Sequence, residues 1–329
     1  MQGVEKALFV WLLLLLTLWA EPLRAWSEAG HHIIGVMAFE LLTAEEQQRL
    51  LARIEQHPRF PQDFRPPESV REEGALQRWR VGRLAFWPDI ARNQPEFHRS
   101  TWHYELGATL ILGSENDVRV PTAPGTLPTT ATLDTQELYI AQAVDLCRRV
   151  AADPQAPVPD RALALSWLGH LVADAHQPCH AGSLYAAGIF PDGDRGANGI
   201  PVKQGYNLHY LWDALLGNRF DAGDTRRRID EITRDSELAA WGRGAVESPD
   251  GLEPQTWLTE SRQQALVAVY TPLVRETVTT ASRGLTTQLT EIDLPADYLR
   301  QAGRVAQQRA SQAAYRLAAV WREALTPRD

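Results

Sequence analysis

The stretch His170-Leu-Val-Ala-Asp174-Ala-His-Gln-Pro178-Cys-His180 limits what this chain can become more than any other. His170 and Asp174 are four residues apart, which on a helix sets them one turn apart on one face. Pro178 cannot continue a helix interior, so the helix should end near Gln177 and leave His180 on the loop beyond. An imidazole and a carboxylate at that spacing can grip one metal ion, with His180 turned toward the same ion or an adjacent one. The competing reading is a capped helix end whose histidines merely hydrogen-bond a carboxylate.

A second pair, His209 and Asp213, repeats the spacing. Upstream lie Asp89 after Trp87-Pro88, His103 within Trp102-His103-Tyr104, and His31 five residues after Trp26. Borderline-soft Zn²⁺ accepts imidazole nitrogen and carboxylate oxygen. The set exceeds what one ion can use and fits several ions, which together clamp the attacking and leaving oxygens of a phosphoryl centre. Pairs scattered over the surface are the alternative.

The rest of the chain reads as helices. Ser27 to Leu42 carries an apolar stripe at helical spacing, and Thr43 with Glu46 forms a capping box for a helix to about Gln56. Residues 57–69 are broken by prolines, and Glu72 to Ile90 is helical again. Residues 106–133 give the strongest loop signal, with a short strand at Thr109–Leu112. Asp134 should cap a helix to about Ala152, and Pro159 or Asp160 should open the one carrying His170. Residues 182–206 read as a glycine-rich loop and Asn207–Leu216 as a helix. Two or three long helices should fill the remainder to Ala324. Strand signals are few, so the expected fold class is all-α, a single helical domain with long loops gathered around one site.

At the start, Lys6, an apolar run from Ala7 to Ala20, and Pro22-Leu-Arg-Ala25 have the layout of a secretory signal. The run is short for a membrane span, which needs ~20 apolar residues. Cutting after Ala25 divides the chain into a signal, 1–25, and one domain, 26–329, with Trp26 as the new N-terminus; cutting after Ala20 is the other option. The product would be secreted or periplasmic, without stable membrane association and monomeric. The net charge is -8 with or without residues 1–25. That balance argues against a duplex-coating protein, but not against a nucleic-acid enzyme whose positive charge comes from bound metal. The two cysteines, Cys147 and Cys179, make no disulfide framework, although in an oxidising compartment they could pair.

Taken together, Trp26-x4-His31, Trp87-Pro-Asp89, Trp102-His103-Tyr104, His170-x3-Asp174-x5-His180 and Asn207-Leu-His209-x3-Asp213 resemble the S-one/P-one family of zinc-dependent single-strand nucleases and 3'-nucleotidases. That family is related in fold to zinc-dependent phospholipase C. The resemblance implies three Zn²⁺. One is held by Asp89, His103, His170 and Asp174, and a second by His180, His209 and Asp213. The third is held by the α-amine and carbonyl of Trp26, with His31 and a bridging Asp174. It also implies that a hydroxide between two zincs attacks phosphorus in line, with single-stranded DNA, RNA and 3'-nucleotides as substrates.

Arg92 matches a phosphate-contacting position, and Tyr104 a position on which a base stacks. Asn198 lies in Asp194-Arg-Gly-Ala-Asn198, similar to a Gly-Gly-Asn loop with Ala197 in place of a glycine. Leu106 stands where the family often has Asp or Asn to read a base edge. The other readings are a zinc phospholipase C and a non-catalytic exported zinc-binding protein. His32, His57, His98 and His176 receive no catalytic role.

Overall fold

The computed structural model describes residues 26–105, 107–284 and 288–326; the expected signal, 1–25, and Leu106 lie outside them. The described chain is mostly helical, as expected, with two short strands. The helices are α1 (Glu28–Glu40), α2 (Ala44–Ile54), the single turn α3 (Phe60–Asp63), α4 (Glu73–Ile90), α5 (Ile140–Ala152) and α6 (Val158–Ala175). They continue with α7 (Leu208–Asp213), α8 (Ala222–Thr233), α9 (Ser236–Glu247), α10 (Pro254–Gln264), α11 (Pro272–Arg283) and α12 (Ala296–Leu325). Ser27 caps α1, and Thr43 and Glu46 form the expected box on α2, each side chain satisfying an amide left over at a helix start.

Helices α1, α4, α5, α6 and α12 pack into one bundle. Small residues let three of them approach closely. A Cβ at Gly35 of α1 would lie 2.9 Å from the Ala85 Cβ of α4, and one at Gly169 of α6 would lie 3.1 Å from the Ala85 Cα. Larger side chains there would push apart the helices that carry His31, Asp89 and His170.

Four local expectations need correction. Helix α5 starts at Ile140, where Gln142 accepts from the Tyr139 amide. Asp134 instead pairs with Arg99, and its segment is held as a turn by the Thr135 hydroxyl accepting from the Thr132 amide. The glycine-rich segment after residue 181 begins with a strand, β2 (Gly182–Ala186), parallel to β1 (Gly107–Leu112). Pairing between distant segments is invisible to local turn chemistry. The region from Asp224 onward holds four helices and part of a fifth rather than two or three long ones, only α12 being long. Cys147 and Cys179 are free buried thiols, in two different hydrophobic clusters.

Behind the end of α6 lies a buried ionic group. Arg309 and Arg316 of α12, each 1 % exposed, both bond to Glu260 of α10. Arg316 also donates to His176, the C-terminal cap of α6. Burial pushes the Arg309 guanidinium down to about 10 despite Glu260. Removing one partner of such a group strands buried charge. Glu260→Ala should therefore lose ~3 kcal/mol of stability, measured by urea unfolding with metal content held constant.

Candidate metal centre

Side chains from α1, α4, α6, α7 and two connecting segments meet at one end of the bundle. His31 Nε2 lies 3.4 Å from Asp174 Oδ1. His170 Nε2 and His103 Nδ1 each lie 3.2 Å from Asp174 Oδ2, and 2.9 Å from one another. Asp89 Oδ1 is 3.8 Å from His170 Nε2. His180 Nδ1 is 3.9 Å from Asp174 Oδ2, and its ring lies 5.0 Å from that of His209. His209 Nε2 lies 3.5 Å from Asp213 Oδ2. Among the described residues, three groupings able to hold a metal result: His31/His170/Asp174, Asp89/His103/His170 and His180/His209/Asp213. Trp26 is fully buried, its indole donates to the Ala173 carbonyl beside Asp174, and the Ser27 amide donates to the Asp213 carbonyl.

The donor set passes a physical test for metal. Polar atoms taken out of water are normally paired. Here His31 Nδ1 and Nε2, Asp89 Oδ2, His103 Nε2, Asp174 Oδ1 and His180 Nε2 are buried without a hydrogen-bond partner. Ligands ~2.0–2.1 Å from a tetrahedral zinc stand ~3.3–3.4 Å apart, close to several of these separations. Backbone carbonyls fix the rings. His170, His180 and His209 each direct Nδ1 to a carbonyl, of Ala85, His103 and Gly196 respectively. A donor Nδ1–H leaves Nε2 as a lone pair.

Burial also sets protonation. It pushes His170 down to about 4, and holds His31, His103 and His180 below the usual imidazole range, all as neutral bases. It pushes Asp174 up to about 7 and Asp213 well up. Burial raises Asp89 too, but Arg92 and the nearby imidazoles outweigh it and hold that carboxyl low. A bound cation would favour the ionised carboxylates that burial alone opposes.

The other sequence candidates are placed less simply. Arg92 donates to Asp89 Oδ1 at 2.6 Å, so it braces a member of the centre. Tyr104 is half-buried, edge-on to Tyr139 across a cleft next to His103. Asn198 donates to the Arg195 carbonyl and accepts from Asn207, tying its loop to the cap of α7. Gln177 was missed as a functional residue: its amide donates to Asp213 Oδ1 at 2.7 Å and its oxygen accepts from the Cys179 amide. The carbonyl partners were also missed, because every residue carries one and no residue type marks it.

An all-α bundle holding adjoining His/Asp groupings able to bind metal defines a class of helical proteins with a candidate metal centre. Within it, the S1/P1 nuclease family model matches residues 26–326, nearly the whole chain, and the chain belongs to that family. The family is zinc-dependent, and its nucleases are hydrolases of nucleic-acid ester bonds. No individual curated protein matches the chain.

The loop that orients His209 contains a local test. Ala197 is fully buried at φ 68°, in the left-handed region that favours glycine. Ala197→Gly should fold with stability close to wild type, whereas Ala197→Val should lose ~2 kcal/mol or more through strain and overpacking. Thermal unfolding of the two variants side by side checks this.

Proposed function

We propose that the chain is an exported zinc-dependent phosphodiesterase that cuts single-stranded DNA and RNA to 5'-phosphorylated products and also acts on 3'-nucleotides. The observation that carries the reading is the meeting of buried, unpartnered imidazole and carboxylate atoms from separate segments in one family-matched fold. Three zinc ions suit it. Asp89, His103, His170 and Asp174 would hold one, and His180, His209 and Asp213 a second. Trp26 with His31 and Asp174 would hold the third. Zinc bound there supplies Lewis-acid charge and acidified water for attack on phosphorus.

The protein's own part is positioning. The carbonyls of Ala85, His103 and Gly196 keep three imidazoles in the ligating tautomer. Gln177 holds Asp213 in place, and Arg92 sits beside Asp89, one bond from releasing a guanidinium toward a phosphate oxygen. Tyr104 offers a ring face to an unpaired base, which suits a single strand. Residues 1–25 would be the removed signal, and 26–329 the working domain. The family match beginning at Trp26 supports that division, because only a chain cut there offers the Trp26 α-amine as a ligand. Among the described residues, no helix is long and apolar enough to cross a membrane.

The deciding experiment purifies the processed protein, counts its metal, and assays denatured DNA, RNA, 3'-AMP and phosphatidylcholine vesicles in parallel. Turnover of the nucleic substrates and not of lipid is expected; turnover of lipid alone would replace this reading with a phospholipase. Asp174→Ala should lose more than one zinc per chain by elemental analysis, because that carboxylate would be shared by two of the proposed ions. Leaving one extra residue before Trp26 should lower zinc content and activity together. Full metal content in that extended form would remove Trp26 from the ligand set.

A further inference from the structure

Beside the centre lies a cleft of about 910 Å³ walled by Tyr104, Tyr139 and Tyr185. Its floor contains an ion pair that the reading above does not use. Glu105, 4 % exposed, accepts from Arg262 Nη2 at 2.9 Å. The Arg262 Nε donates to the Ala181 carbonyl at 2.6 Å, and the Glu105 amide donates to the His180 carbonyl. The pair is therefore stitched between the segments that carry His103 and His180. Arg262 Nη1 has no hydrogen-bond partner among the described residues, although Arg262 lines the cleft.

We propose that Arg262, pinned by Glu105, reads a base edge in this cleft and selects keto bases, guanine and thymine or uracil, over adenine. The inference rests on the nuclease reading and deepens it. An arginine facing nucleic acid usually meets phosphate, but two features oppose that here. The adjacent Glu105 cancels the guanidinium charge while leaving its remaining N–H groups as donors. Of the cleft's four carboxylates, Glu105 is paired with Arg262 and Asp192 with Arg119, which leaves Asp145 and Glu253 against the guanidinium of Arg195. That balance offers a phosphate no net attraction, and a neutral base stacked on tyrosine needs none. A donor held at the exocyclic position meets an acceptor in guanine O6 or in thymine and uracil O4, whereas adenine places its amino group there, with its N7 acceptor to one side. Two of the three guanidinium nitrogens are already engaged, so the side chain is held in place before substrate arrives.

The test compares kcat/KM for short dT and dA homopolymers and for 3'-GMP and 3'-AMP, using the zinc-loaded protein. Wild type should favour the keto substrates by about tenfold, the scale of one good base contact. Arg262→Gln should bring the two classes within about twofold of each other by slowing the keto substrates, with adenine turnover and zinc content retained. Glu105→Gln, which keeps the volume but frees the guanidinium charge, should steepen the salt dependence of KM. It provides a second readout should Arg262→Gln fail to fold. Equal wild-type rates on both classes, a uniform loss in Arg262→Gln with zinc retained, or an unchanged salt dependence in Glu105→Gln would overturn the proposal. Absence of turnover on every single strand by the zinc-loaded wild type would instead overturn the nuclease reading itself.

Discussion

The structure depends on one buried carboxylate. Asp174 has no water to share its charge, and its two oxygens face imidazoles from α1, α6 and the segment before β1. Left alone, that position favours the protonated acid, which is why burial drives Asp174 upward. A cation bound there would reverse the preference. A carboxylate that is costly in an empty core suits a place where it can share a cation with His31 and His170.

Such sharing requires helices that nearly touch. Gly35 and Gly169 press against Ala85 from two sides, and the Ala85 carbonyl is what orients His170. One small-residue contact thus fixes the distance between helices and the tautomer of a ring. On the other flank, the Asp194–Asn198 loop turns through three consecutive left-handed residues, Arg195, Gly196 and Ala197. It presents the Gly196 carbonyl to His209. Both devices use the backbone as the outer support of the centre, so side-chain identity alone does not reveal them.

Charge is distributed to match. The protein is acidic overall, and the cleft beside the centre holds more carboxylates than guanidiniums. A long phosphate backbone gains little from such a surface away from the centre. On the proposed reading, binding would rest on the reacting phosphate and on bases stacked against tyrosine, contacts that a paired duplex cannot offer. The buried Arg309–Glu260–Arg316 group stands behind the end of α6 and anchors the helix from which His170 and Asp174 project.

The sequence by itself determined the helical character, the capping box of α2, and every His and Asp of the centre. Those features are local: a spacing of four on a helix, a proline that ends it, a residue type with the right lone pair. Only the tertiary structure decided that six segments converge, that β1 pairs with a distant β2, and that Cys147 and Cys179 remain apart. It also placed α5 five residues later than a cap at Asp134 promised, and revealed Gln177, Arg262 and the three carbonyls as supporting partners. Spacing constrains a side chain relative to its own helix, but contact between distant segments depends on how small residues and buried polar groups let the helices close on one another.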